Sequence, residues 1–131
     1  MRYRTHITLG GVVVAVVAGL YALEREIGDG LGSCGSETIH TEPSPDGALR
    51  AVLFEHDCGA TTGISTHVSI LTKNESLLNK PGNTFIIGHE PAVSLVWIQA
   101  RALEIRYKPT ETVFLKETSV NGVSINYATK Q

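Results

Sequence analysis

The chain has 131 residues, with 13 acidic against 11 basic side chains, 42% hydrophobic residues and two cysteines. That length suits one small domain and is too short for two. The slightly acidic balance, with no clustered basic surface, excludes nucleic acid as a partner.

Residues 7–23 carry no charge. Arg2 and Arg4 precede them and Glu24-Arg25-Glu26 closes the run. At about 1.5 Å per helical residue the stretch reaches roughly 25 Å, the lower limit for crossing a hydrocarbon core. The pattern predicts a transmembrane helix over 1–23, retained as a signal anchor with Arg2 and Arg4 on the cytoplasmic side. Cleavage at Val17-Ala18-Gly19 or Leu20-Tyr21-Ala22 is the competing reading. Gly11, Ala15 and Gly19 share one helix face, a spacing that lets two such helices pack as a homodimer; the plainer reading is that small residues are common in export segments. Leu31-Gly32-Ser33-Cys34 has the form of a lipoprotein box, but Glu24, Arg25, Glu26 and Asp29 separate it from the apolar run, so it is set aside.

Beyond the anchor stand all 13 acidic residues and, without Arg2 and Arg4, 9 of the 11 basic ones, a net charge of −4. Residues 24–36 read as a Gly-rich linker and 37–131 as a β domain. In an exported domain Cys34 and Cys58 are expected as a disulfide, with two free thiols or a metal pair as alternatives.

Ser44-Pro45-Asp46-Gly47 predicts a turn: Pro45 presets φ and Gly47 accepts a positive φ. A strand over 49–56 follows, then a loop over 58–63. A second strand over 65–72 places Thr66, Val68 and Ile70 on one face and Ser65, His67 and Ser69 on the other. A polar loop over 73–83 holds Pro81-Gly82-Asn83. Further strands are predicted over 84–87, 93–99, 103–107, 113–115 and 123–127. The strands over 93–99 and 103–107 form a hairpin, and Asn121-Gly122 marks another. The fold class is mainly β: a transmembrane helix followed by a small antiparallel β-sandwich or meander.

No set of residues makes a credible catalytic, cofactor or metal site. His56 and Cys58 share a strand face, and His40 and His67 could join them as nitrogen and sulfur donors, but the spacing fits no standard metal motif. Cys58 with His56 or His67 as base is a weak nucleophile arrangement. The expectation is a bonded Cys58 and ordinary surface histidines. Trp97 is expected in the core, with a partner-contact role as the alternative.

The segments Ser44-Pro45-Asp46-Gly47, Asp57-Cys58-Gly59-Ala60-Thr61-Thr62-Gly63 and Val68-Ser69-Ile70, with Val96-Trp97 and Leu103-Glu104-Ile105-Arg106-Tyr107, resemble a group of small bacterial exported β-domain proteins of unknown function. The resemblance covers roughly residues 43–127. It implies a bacterial envelope protein and brings no catalytic residues. Taken together, the sequence predicts a single-pass inner-membrane protein with a periplasmic, non-enzymatic β domain that binds or supports another envelope protein. An immunity or inhibitor protein against a toxin or hydrolase is the alternative, followed by a thiol or metal enzyme using Cys58 and His56.

Overall fold

The computed structural model describes residues 15–18, 34–59 and 62–131. The chain divides into two units, residues 1–33 and 34–131. In the first, Ala15 to Ala18 are helical and exposed. The rest of the expected anchor, Gly11 and Gly19 included, lies outside the described residues. Among the described residues no helix is long and apolar enough to cross a membrane.

The described residues of the second unit form nine strands: β1 (Gly35–Pro43), β2 (Leu49–Asp57), β3 (Ile64–Thr72), β4 (Phe85–Gly88), β5 (Ser94–Gln99), β6 (Ala102–Tyr107), β7 (Val113–Lys116), β8 (Ser119–Val120) and β9 (Val123–Thr129). They form a five-stranded sheet in the order β1-β2-β3-β4-β7 and a four-stranded sheet in the order β5-β6-β9-β8. The first four strands are a meander. Gly47 has φ 71° and its N–H donates to the Ser44 carbonyl at 2.8 Å, the predicted turn between β1 and β2. Asn121 and Gly122, at φ 50° and 76°, turn β8 into β9 as the Asn-Gly signal predicts.

The alternation of apolar residues along each strand aims one set inward. Leu53, Val68, Ile70, Phe85 and Ile87 from the first sheet meet Leu95, Leu103, Ile105, Val123 and Ile125 from the second in one buried cluster. Trp97 packs on its margin, and its indole N–H donates to the Glu42 carbonyl at 3.0 Å, which joins β5 to β1.

Two findings differ from the sequence reading. The fold is not wholly antiparallel, because β6 and β9 run parallel. Between them the chain crosses to the first sheet as β7 and returns, the long crossover that a parallel pair requires. The other difference is β1, which starts at Gly35 inside the expected linker. As an edge strand it is mostly exposed on both faces, so it carries no apolar alternation.

The outer face of the first sheet is also covered. Val52, Phe54 and Leu71 form a second buried cluster beneath Leu77. The expected polar loop therefore acts as a flap over 73–83. Arg50 Nη2 donates to the Glu75 carbonyl, and Ser36 N–H donates to Asn79 Oδ1 at 3.2 Å. The Asn83 side chain pairs with Ile70 as a strand residue would: its Oδ1 accepts from Ile70 N–H and its Nδ2 donates to Ile70 O, both at 2.9 Å. A cavity of about 120 Å³ remains under the flap, lined by Leu71, Leu77, Pro81 and their neighbours.

Candidate functional site

The chemistry-bearing residues gather on this outer face, at the end where β1 begins and β2 finishes. Antiparallel register sets Gly35 opposite Asp57 and Ser36 opposite His56. Cys34 and Cys58 are the next step along the same ladder, and they are joined as a disulfide with an S–S distance of 2.00 Å. The expected pairing therefore arises from strand register, and it staples the edge strand to its neighbour. By period two, Cys58, His56 and Phe54 share the outer face.

His56 and His67 are both buried, against the expectation of surface histidines. Their rings lie 4.8 Å apart, and Phe54 stands 5.3 Å from His67. The covering flap explains the burial: Gly82 passes so close to His67 and the Val68 carbonyl that a Cβ there would lie 2.8 Å from the carbonyl oxygen.

His67 has its protons assigned by its neighbours. The Gly82 backbone N–H can only donate, and it reaches His67 Nδ1 at 2.8 Å. Nδ1 is therefore an acceptor, and in the neutral ring the proton sits on Nε2. Nε2–H donates to Ser65 Oγ at 2.6 Å, and the Ser65 hydroxyl donates in turn to the His56 carbonyl at 3.4 Å. Burial pushes the His67 pKa down to about 4, and the neighbouring His56 adds to the shift. With both nitrogens engaged, His67 is neither a free base nor a metal ligand. His56 is held differently, with Nδ1 2.9 Å from Ser36 Oγ.

Cys34, His56 and Cys58 place one donor atom each within 4.8 Å of one another. His40, the remaining residue of the expected donor set, is exposed and pairs with Glu42 at 2.6 Å. The disulfide occupies both sulfurs, so Cys58 is not a nucleophile in this state.

Two features escaped the sequence reading. An open recess of about 270 Å³ lies at the same end, lined by Gly35, Ser36, Glu37, Glu55, Asp57 and Ile64. Its carboxylates come from paired strands, so only the register brings them together. Glu90 is buried, its carboxylate accepting from Thr110 Oγ1 at 2.6 Å and Ala92 N–H at 2.9 Å. These bonds, the Thr110 one first, hold its pKa below the usual glutamate value. Both oxygens are engaged, so Glu90 fixes the turn before β5. Trp97, with its N–H satisfied internally, sits at the core margin; Phe114, on edge strand β7, is one of several large apolar side chains left exposed, at 67%.

Comparison with protein-family models, curated proteins and solved structures returns no match to this chain.

Proposed function

We propose that the chain is a single-pass bacterial inner-membrane protein whose β domain lies in the periplasm and binds or supports another envelope protein without catalysing a reaction. The observation that carries the binding role is β1. It is a nine-residue edge strand, paired with β2 on one side only. Between Ser36, whose N–H meets Asn79, and Glu42, whose carbonyl meets Trp97, the unpaired side of such a strand offers backbone N–H and C=O groups to a strand from a partner. The disulfide pins its start, so the edge is presented in one register.

Support for the address comes from the residues. The uncharged run after Arg2 and Arg4 has the composition of a retained anchor, with Gly11, Ala15 and Gly19 as a surface for helix pairing. A disulfide suits an oxidising compartment. The acidic recess beside β1 favours a second reading, an immunity or inhibitor protein that meets a basic region on a toxin or hydrolase.

A photo-crosslinking amino acid at Ile39, which is 52% exposed on β1, tests the proposal in cells. One discrete envelope protein should be captured there, and not from a matching probe at Arg106 on the other sheet. Capture of nothing specific, or the same products at both positions, refutes it. Capture of an adjacent-gene toxin selects the second reading.

A further inference from the structure

We infer that Cys34, Cys58 and His56 form a redox-gated site for a single Cu(I) ion, available when the disulfide is reduced. The three donor atoms already lie within 4.8 Å of one another. Metal–sulfur bonds of about 2.3 Å and metal–nitrogen bonds of about 2.0 Å place donors roughly 3.5 Å apart, so on reduction the sulfurs must part from 2.00 Å by side-chain rotation while the imidazole, within 4.8 Å, closes on them. The strand ladder supplies the framework, since Ser36 pairs with His56 and the cysteines follow on the same ladder.

The surroundings are those of a ligand set. His56 is buried, 5% exposed. Ser36 Oγ beside its Nδ1 fixes the ring, the role that outer hydrogen bonds play around metal-binding histidines. Two thiolates and one imidazole are soft to borderline donors. Among the described residues no fourth donor joins the set, and the adjacent His67 has Nδ1 taken by Gly82 and Nε2 by Ser65. Structural zinc sites call for four protein ligands. Three donors, two of them thiolate, match the low coordination and softness of Cu(I).

The chemistry balances with a dithiol reductant. Thiol–disulfide exchange breaks the Cys34–Cys58 bond, two electrons and two protons pass to the sulfurs, and the reductant leaves as its own disulfide. Cu(I) then displaces the two thiol protons as the thiolates bind. Exchange with a disulfide oxidant, which accepts the two electrons, takes up two protons and leaves as its dithiol, restores the Cys34–Cys58 bond, removes two ligands and releases the ion.

The test uses the full chain, detergent-solubilised, under anaerobic conditions. Cu(I) is presented as its bicinchoninate complex to the oxidised and the reduced protein. The reduced chain should withdraw one equivalent and become protected from thiol alkylation; the oxidised chain should withdraw none. His56→Asn, which keeps a polar group facing Ser36, should weaken binding by more than about tenfold, since loss of outer-shell partners alone costs that much. Unchanged affinity in His56→Asn overturns the site. So does a reduced chain that withdraws no Cu(I), or one that unfolds by near-ultraviolet dichroism and does not refold with Cu(I) present. Tight one-to-one binding of Zn(II) with no Cu(I) binding overturns the metal assignment.

Discussion

Acidification should weaken the β domain through His67. Its ordinary pKa is 6.5, and burial with the nearby His56 lowers it to about 4 in the folded chain. Protonating Nδ1 would also turn the acceptor of the Gly82 N–H into a second donor. Above the unfolded value both states are neutral. Below it the unfolded chain takes a proton that the folded chain refuses, so stability falls as pH drops through the window from 6.5 to about 4. Between about pH 7.5 and about pH 5 the loss is roughly 2 kcal/mol, with carboxylates still largely ionised at the lower limit. Denaturant titrations across that range measure it. His67→Asn keeps an oxygen able to accept from Gly82 and removes the titration. It is less stable at neutral pH, having lost its contact with Phe54. Its stability should nevertheless be nearly flat where the parent slopes. Parallel slopes for parent and variant would refute the assignment of the pH dependence to His67.

Three further predictions follow from the same framework. Gly82→Ala should destabilise the domain by about 1–3 kcal/mol, because its Cβ would lie 2.8 Å from the Val68 carbonyl oxygen, 3.0 Å from His67 Cβ and 3.2 Å from the Phe85 carbonyl oxygen; an unchanged urea midpoint would show that the flap does not press on β3. Replacing both Cys34 and Cys58 by Ser should lower stability by about 3.5 kcal/mol on the chain-entropy model, with faster amide exchange along β1; equal exchange in parent and variant would mean that β1 is held by its ladder alone. Leu78 is 68% exposed with φ 45°, a conformation Asn tolerates better than Leu. Leu78→Asn should therefore gain up to about 1 kcal/mol in thermal unfolding, and a lower melting temperature would reveal a packing role for that side chain.

What could be read from residues alone was local. Alternation places Leu103, Ile105 and Tyr107 inward. Pro45-Asp46-Gly47 and Asn121-Gly122 fix two turns by φ, and an even cysteine count points to the disulfide. The missed features depend on partners distant in sequence. β1 is a strand because β2 pairs with it, and its exposed faces leave no periodic trace. The burial of His67 depends on a flap whose residues read as polar, with Leu77 and the close passage of Gly82 as its contacts. The parallel β6–β9 pair depends on a crossover through the opposite sheet. For the candidate site, the shared face of His56 and Cys58 was legible. The exclusion of His40 and the engagement of both His67 nitrogens were not, since register and the flap decide them.

The position of β9 governs when the domain can become native. It lies between β6 and β8, and its Val123 and Ile125 fill the centre of the shared core. Synthesis proceeds from the amino end, so β9 is delivered after β6 and β8, the strands it pairs with. Until it docks, Leu103 and Ile105 lack their neighbours in the parallel ladder. A nascent chain thus lacks part of its core until the strand carrying Val123 and Ile125 has been delivered.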